Sequence, residues 1–328
     1  MFNLDAKVDE RKWEAVHYRP DYLCDLHCHT IRSDGNDTYQ QLIDNAAELD
    51  MKVIAITDHD IVPEEMMKVD GKTISTIEYG RKKNLNVLLG IEYSCDTDVD
   101  DVHIVALGCD WTHKDLVLEE DMKYSKIEAY KKLTEVLSEN GIKIFWNELL
   151  ESGSNHRAPE DIQRKHIFEL IADKGYVKTW QEAKIMVRDN PKYNVKRDKI
   201  HPVRAIEIIH NAGGLAILAH PYLIDDVIYS HNRKISRSDY IQKLVDAGLD
   251  GIEASYTYSK TSYKGYMREA EIEKEIIDTY GRKMKIISGG SDYHNDAKKG
   301  VKTPRMIGEK GVSWEYFSAN KYLSGLIV

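Results

Sequence analysis

The chain has 328 residues, 42% of them hydrophobic and 31% charged, and its formal net charge is −9. Such a length and composition are ordinary for a globular enzyme and exclude any need for disulfides or a structural metal to complete the core. The acidic balance disfavours charge-driven binding of a long nucleic acid, but a pocket that concentrates cations can still bind a small phosphorylated substrate.

Neither the cysteines nor the N-terminal segment indicates export or membrane insertion. The 4 cysteines follow no disulfide spacing, and residues 1–19 are mixed and charged, unlike a signal peptide. No apolar run approaches the roughly 18 to 20 residues that a membrane helix needs. We therefore expect a cytoplasmic protein that has no membrane partner.

The first third of the chain alternates short apolar runs with amphipathic stretches, which is typical of strand–helix units. The continuous apolar run 53–57 favours a buried parallel strand. In chain order the pattern predicts strand 22–28, helix 38–49 with Thr38 as its cap, strand 53–57, helix 64–83, and strands 86–94 and 102–109.

The pattern then becomes mostly helical before the alternation returns. We interpret residues 113–200 as a helical insertion that can partly cover the site, inside one discontinuous barrel domain formed by 20–112 and 201–300. Residues 301–328 are predicted to form a separate, less patterned tail. The later elements are helices 123–138, 160–173, 180–188, 203–211, 240–247 and 262–280, and strands 215–219, 251–254 and 285–288.

Almost every predicted strand carries a histidine or carboxylate, usually at its C-terminal end, where parallel barrels build their sites. His27 and His29 face the same way because residues two apart in a strand share a face, while Cys28 faces away. Burying so many titratable groups would cost several kcal/mol each without metal ions. Nitrogen and oxygen ligands leave Mn, Fe and Zn open. The candidate ligands are His27, His29, Asp34, His59, Glu92, His103, His220, Asp292 and His294.

Short motifs contain these ligands: His27-x-His29, Ser33-Asp34-Gly35, Thr57-Asp58-His59, Glu92, His103, Ala219-His220-Pro221 and Gly290-Ser291-Asp292-x-His294. They resemble, in order from about residue 22 to 299, the motifs of the polymerase and histidinol phosphatase (PHP) superfamily. The resemblance implies an α/β fold, a distorted (β/α)7 barrel, which holds two or three divalent metal ions and hydrolyses phosphate esters.

The resemblance also implies a ligand scheme for three metal ions. Asp34 stands where some relatives have histidine, and a carboxylate there favours Mn or Fe over Zn. The first ion would take His27, His29, Glu92 and Asp292, the second Asp34, His59 and His294, and the third the bridging Glu92 with His103 and His220.

Residues 164–168 and 174–177 resemble segments of the stand-alone PHP phosphoesterases, which include nucleotide phosphatases and a 5′-to-3′ exoribonuclease group. The resemblance implies that Arg164 and His166 bind the substrate phosphate, a task that suits the planar guanidinium fork. A solvated helix face is the alternative. Glu253, at the end of a predicted strand, is a further candidate for lining the substrate pocket, and a purely structural role is equally open.

The expected reaction is hydrolysis of a small phosphorylated metabolite, a nucleotide or sugar phosphate, by attack of a metal-bridged hydroxide on phosphorus. Asp58, Asp60 and His166 are candidates for protonating the leaving group, although Asp58 could instead orient a ligating histidine. The basic run 188–204 motivates a 5′-to-3′ exonuclease acting on short RNA or DNA ends. Histidinol phosphatase activity, hydrolysis of a C–N or C–O bond, and a non-catalytic metal-binding regulator complete the alternatives.

Overall fold

A computed structural model describes residues 18–96, 98–117, 119–151, 157–193, 195–230, 233–299 and 301–327. Seven strands form one sheet in the order β1-β2-β5-β6-β7-β10-β11. The sheet nearly closes, because the backbone N–H of His29, just after β1, donates to the carbonyl of Tyr293, just after β11, at 2.8 Å. This barrel confirms the predicted α/β fold. Its strands are β1 (Cys24–Cys28), β2 (Val53–Ile56), β5 (Asn86–Cys95), β6 (Val102–Leu107), β7 (Leu215–Leu218), β10 (Gly251–Ser255) and β11 (Ile286–Gly289).

Strand β6 departs from the expected parallel arrangement, because it runs antiparallel to both β5 and β7. The other neighbouring pairs in the sheet are parallel. An antiparallel strand begins where its neighbours end, so His103 near the start of β6 lies opposite Ser94 near the end of β5. His103 therefore reaches the same rim as the residues that follow the parallel strands.

The predicted helix 64–83 was wrong. Its first part is an antiparallel hairpin of β3 (Met66–Val69) and β4 (Lys72–Ser75), and a helix follows over Thr76–Arg81. Asp70 and Gly71 between the two strands both have positive φ, 49° and 76°. Two consecutive left-handed residues form the tight turn that matches strand twist, and Asp-Gly is a sequence signal for it.

Helix starts are set locally by side-chain caps. Thr38 and Gln41 form a capping box at the first helix, as the sequence predicts for Thr38. A second hairpin, β8 (Val227–Ser230) with β9 (Arg233–Ser236), lies between β7 and the next helix. The helices are α1 (Tyr39–Glu48), α2 (Thr76–Arg81), α3 (Glu119–Glu139), α4 (Trp146–Glu151), α5 (Arg164–Asp173), α6 (Trp180–Asp189), α7 (Pro202–Asn211), α8 (Arg237–Asp246), α9 (Glu269–Tyr280), α10 (Trp314–Ala319) and α11 (Lys321–Ser324).

The predicted insertion and tail differ in how they pack. Helices α3 to α6 share a hydrophobic cluster of their own, which includes Leu137 and Ile171. The tail instead joins the barrel core, where Phe317 and Leu323 pack in one cluster with Val53 of β2. No helix in the described parts of the chain is both long and apolar enough to cross a membrane.

Candidate metal centre and substrate cavity

The candidate ligands converge at one rim of the barrel. Three overlapping groups each place one nitrogen or oxygen atom per residue within 4.8 Å of the others. Such groups suit divalent cations, because first-row metals bind imidazole nitrogen and carboxylate oxygen at about 2.0–2.2 Å, which puts neighbouring ligand atoms about 3 Å apart. The groups are His29, Asp34, His59 and His294; His27, His29 and Asp292; and His59, Glu92 and His103.

Glu92 is the centre of the cluster, and its side chain is 1% exposed. Its Oε1 lies 2.8 Å from His103 Nδ1 and 2.9 Å from His220 Nε2. Its Oε2 lies 3.2 Å from His27 Nε2, and 3.1 Å from both His29 Nε2 and His59 Nδ1. One carboxylate thus contacts five imidazoles, which is the arrangement that a bridging ligand requires.

Two aspartates complete the cluster on the side away from β6. Asp34 Oδ1 lies 2.9 Å from His294 Nε2, and Asp292 Oδ1 lies 3.2 Å from His29 Nε2. The ring nitrogens His27 Nε2 and His29 Nε2 are 3.1 Å apart. That separation is close to the spacing of two nitrogens that share one ion.

Unpartnered atoms test whether the cluster fits metal ions. Glu92 Oε2, His59 Nδ1 and His220 Nδ1 are buried and have no hydrogen-bond partner among the described residues. Three imidazole nitrogens approach Glu92 Oε2 without hydrogen-bond geometry, so their lone pairs converge on a shared space. Buried polar atoms are normally satisfied. Metal ions would satisfy Glu92 Oε2 and His59 Nδ1, which face the same space, so the residues present fit a metal centre.

The local electrostatics ionise the carboxylates but shift the pKa values of the histidines in opposite directions. Burial would lower the pKa of His29, but Asp292 and Glu92 raise it to about 9, and Glu92 and Glu253 raise the pKa of His27 well above its usual value, so a metal ion would displace a proton from each of these two rings. Burial lowers the pKa of His103 and of His294 to about 4, so both rings are neutral near pH 7. Burial would raise the pKa of Glu92, but His59 and His27 hold it well below its usual value. Burial would likewise raise the pKa of Asp34, which His294 and His59 hold well below its usual range. Neutral imidazole and ionised carboxylate are what a metal ion needs.

Backbone strain is concentrated at the same rim. Asp60, His220 and Asp292, which follow β2, β7 and β11, have φ values of 53°, 30° and 52°. Non-glycine residues seldom adopt this left-handed region, and they persist there when the surrounding structure holds them. At these positions the left-handed backbone turns the side chain away from the direction that the alternation of the preceding strand would give it.

Glu253 contacts two histidines of the cluster, and it does not line the main cavity. Its Oε1 lies 3.3 Å from His27 Nδ1, and its Oε2 accepts a hydrogen bond from the His220 backbone at 2.7 Å. Of the two roles that the sequence leaves open for Glu253, these contacts fit the structural one. A carboxylate behind a histidine fixes which ring nitrogen faces the metal.

Asp58 and Asp25 hold backbone rather than substrate. Asp58 accepts hydrogen bonds from the Thr30 N–H and hydroxyl, at 2.8 and 2.7 Å, and from the Ser33 hydroxyl at 2.5 Å. Asp25 similarly accepts from Ser291 N and Oγ, at 2.9 and 2.6 Å. Each carboxylate therefore fixes a loop that carries ligands, and Asp58, which is buried and does not line the cavity, is poorly placed to protonate a leaving group.

Asp60 and His166, the other two candidates for proton transfer, also lie outside the main cavity. Asp60 Oδ2 accepts from Arg197 Nη2 at 3.0 Å, and its Oδ1 accepts from the Ser94 N–H at 2.8 Å. His166 Nδ1 accepts from the Gln163 N–H at 3.1 Å in the cap of α5. His166 lines a smaller cavity of about 280 Å³.

The main cavity has a volume of about 540 Å³ and lies between the rim and the predicted insertion. Arg164 lines it, so Arg164 and His166 face different cavities, against the expectation that they bind one phosphate together. Nine lysines and arginines line the cavity, against six aspartates and glutamates, in a chain whose net charge is −9. The basic residues are Arg164, Lys165, Lys184, Arg188, Lys196, Arg197, Lys199, Lys260 and Arg305.

Arg305 in the tail is a site residue that the sequence reasoning missed. It donates to Asp292 Oδ2 through Nη1, and to Asp296 Oδ2 through Nε at 3.1 Å and Nη2 at 2.9 Å. Asp296 in turn accepts from Lys165 Nζ of α5 at 3.0 Å. Buried ionic links therefore join the tail, a candidate metal ligand and the insertion.

Comparison with known proteins places this site in a family. The model of the PHP domain matches residues 25–297. The chain belongs to the PHP domain family. A solved structure described as a metal-dependent phosphoesterase from Bifidobacterium adolescentis has the same fold, with a TM-score of 0.69 at 24% identity, over 93% of this chain and 97% of that one.

Two curated relatives act on phosphate esters. A 5′-3′ exoribonuclease from Haemophilus influenzae is 29% identical over 60% of this chain and 68% of its own length. A 3′,5′-nucleoside bisphosphate phosphatase from Chromobacterium violaceum is 27% identical over 84% of this chain and 88% of its own length. The PHP domain described here is therefore a hydrolase of phosphoric ester bonds.

Proposed function

We propose that this protein hydrolyses a small phosphorylated metabolite, most naturally a nucleotide or sugar phosphate, with two or three Mn, Fe or Zn ions held in the implied scheme. The main observation in support of this proposal is the cluster around Glu92, in which five imidazoles contact one carboxylate beside a cavity of about 540 Å³. Small-molecule sites have about this volume.

The chain contributes orientation and charge to the reaction. Divalent ions, when bound, lower the pKa of a water molecule and polarise phosphoryl oxygens. Glu253 holds His27, and Asp58 holds the loop of Asp34 through Ser33. No carboxylate of the described residues lies within ion-pair distance of Arg164, so its guanidinium is available to a phosphate. Asp58 and Asp60 act as positioning residues in this proposal.

The first experiment combines elemental analysis with phosphate release. Wild type, His29→Ala and the control His113→Ala are purified and assayed on a panel of nucleotide and sugar phosphates. His113 lies outside the cluster and accepts a hydrogen bond from the Asp115 N–H at 3.3 Å. The proposal is supported if the wild type and His113→Ala each bind two or three ions per chain and release phosphate, while His29→Ala loses both the metal and the activity. Bound metal without phosphate release from any ester contradicts it.

A 5′-to-3′ exonuclease is the second candidate function. Its support is the basic run 188–204, because Arg188, Lys196, Arg197 and Lys199 of that run line the cavity. Stepwise shortening of a short 5′-phosphorylated oligonucleotide, with rates that fall as salt rises, would favour it. Release of inorganic phosphate from mononucleotides without shortening of the oligonucleotide would favour the small-molecule phosphatase.

A further inference from the structure

The two carboxylate oxygens of Asp292, a candidate metal ligand just after β11, have different partners. The Oδ2 atom accepts a hydrogen bond from the Tyr256 hydroxyl at 2.7 Å and another from Arg305 Nη1. The Oδ1 atom lies 3.2 Å from His29 Nε2 and 3.7 Å from His27 Nε2. One oxygen is therefore held by fixed donors, whereas the other faces the imidazoles of the rim.

The two donors leave a single oxygen of Asp292 for a metal ion. A carboxylate oxygen has two lone-pair positions, and the hydrogen bonds from Tyr256 and Arg305 occupy both positions on Oδ2. Asp292 forms with His27 and His29 one of the groups whose ligand atoms lie within 4.8 Å of one another. We therefore expect Asp292 to bind an ion of that group through Oδ1 alone.

Arg305 is a fixed donor because its own partners hold it. Its Nε and Nη2 donate to Asp296 Oδ2 at 3.1 and 2.9 Å, and Asp296 Oδ1 accepts from Lys165 Nζ at 3.0 Å. Three residues after Arg305, the Gly308 N–H donates to Asp25 Oδ2 at 2.9 Å, which bonds this segment to β1. A planar guanidinium with two of its nitrogens engaged presents the third in one direction.

Tyr256 is the second fixed donor. It directly follows β10, and it is 2% exposed. Its ring centroid lies 5.1 Å from that of His220 and 4.8 Å from that of Tyr258. A buried tyrosine usually finds a partner for its hydroxyl, and here the partner is a candidate metal ligand.

We propose that Tyr256 and Arg305 are positioning residues that present Asp292 Oδ1 to a metal ion, so that the C-terminal tail completes the metal centre. The inference rests on the proposed function, because Asp292 is a ligand only in that scheme. Arg305 lies beyond residues 25–297, which match the PHP domain, so the family resemblance assigns it no role. Groups that hold a ligating carboxylate commonly tune metal affinity.

The test removes each donor without changing the charge of the site. Tyr256→Phe keeps the buried ring and removes only the hydroxyl, and Arg305→Lys keeps the positive charge but loses the fork. Tyr240→Phe is the matched control for the first variant. The Tyr240 hydroxyl donates to Asp96 Oδ2 at 2.6 Å, so this control breaks a buried tyrosine–aspartate hydrogen bond outside the metal centre.

Arg237→Lys is the matched control for Arg305→Lys. Arg237 pairs with Asp226 at 2.6 Å and donates to the Ile224 carbonyl at 2.9 Å, and it contacts no candidate metal ligand. The wild type and the four variants are compared in two measurements. Competition with a chelator gives the affinity for each bound Mn²⁺, and urea unfolding in excess chelator gives the stability of the metal-free protein.

We expect the affinity for one Mn²⁺ to fall about 10- to 100-fold in Tyr256→Phe and in Arg305→Lys, and to stay at the wild-type value in both controls. The group of His59, Glu92 and His103 does not include Asp292, so an ion bound there should keep its affinity. A merely structural role would lower the metal-free stability of the variants and leave every Mn²⁺ affinity unchanged, which overturns the inference. An equal loss of affinity in Tyr240→Phe also overturns it.

Failure of the proposed function gives a different result. If the wild type binds Mn²⁺ but hydrolyses no phosphate ester, the proposed function fails, and a selective loss of affinity in Tyr256→Phe still supports the positioning role. If the wild type hydrolyses an ester and Tyr256→Phe binds every Mn²⁺ normally, the function stands and the inference is overturned. Tyr256→Phe decides the question alone if Arg305→Lys does not fold.

Discussion

The barrel rim and the predicted helical insertion line the same cavity but are built in different ways. At the rim, short histidine and carboxylate side chains from successive strands are buried or partly buried and contact one another. On the insertion, long basic side chains pair with aspartates, as Lys184 does with Asp101 at 3.5 Å and Lys196 with Asp98 at 2.8 Å. We propose that the rim carries the chemistry and that the insertion selects which phosphorylated molecule enters.

The largest expected effect comes from changing the centre of the rim. Glu92→Gln keeps the shape of the side chain but removes the negative charge that five imidazoles share. We expect activity to fall on the order of 1,000-fold, and elemental analysis to show fewer ions per chain. Glu207→Gln, an exposed carboxylate paired with Arg204, is the control. Retention of full metal content and activity in Glu92→Gln would contradict the assignment of the centre.

The next effect tests the connection between the two regions. Lys165 of α5 lies 3.0 Å from Asp296, and both side chains are buried, at 6% and 4% exposure. Lys165→Met leaves a buried carboxylate with fewer partners, so we expect the free energy of unfolding to fall by about 3 kcal/mol. Urea unfolding measures it. Lys132→Met, which breaks an exposed pair with Glu135, should change it by no more than about 0.5 kcal/mol. Similar values for both variants would mean that the two regions are not coupled through this pair.

Much of the rim could be predicted because strand geometry constrains it. His27 and His29 are two residues apart, and alternation alone places both on the face opposite Cys28, which packs in a hydrophobic cluster. The antiparallel direction of β6 could not be predicted, because a buried strand reads the same way in either direction. The hairpin at Asp70-Gly71 was missed although the dipeptide signals it, since the surrounding residues also suit a helix.

The cavity wall was less predictable, because it depends on packing between distant segments. Arg305 follows Pro304 in a stretch without periodicity, and its contacts with Asp292 and Asp296 exist only after the tail has packed on the barrel. Gln163 and Trp180 are unremarkable in sequence, and their unpartnered donors are properties of the folded chain. Periodicity shows which face of a helix is apolar, but not which polar atoms remain unsatisfied.

A smaller effect, on metal affinity, is expected from changing Glu253, which contacts two histidines of the rim. Glu253 accepts through both carboxylate oxygens, one near His27 and one from the His220 N–H. In Glu253→Gln one of these atoms becomes an NH2 group that cannot accept, so one contact is lost. We expect metal affinity, measured by competition with a chelator, to fall about 10- to 100-fold. Glu275→Gln, which alters a carboxylate that accepts from Tyr222 at 2.5 Å outside the cluster, should leave metal affinity unchanged.

The smallest effect is expected at Arg164, and it decides whether the insertion contacts the phosphate at all. Its guanidinium lies 5.8 Å from the Phe168 ring centroid and lines the cavity, so truncation should weaken substrate binding more than it disturbs packing. Arg164→Ala should raise KM about 10-fold, with Arg164→Lys intermediate, because lysine keeps the charge but loses the fork. Arg268→Ala, an exposed residue paired with Glu271, is the control. An unchanged KM in Arg164→Ala would assign Arg164 to a solvated helix face and leave phosphate recognition to the metal centre.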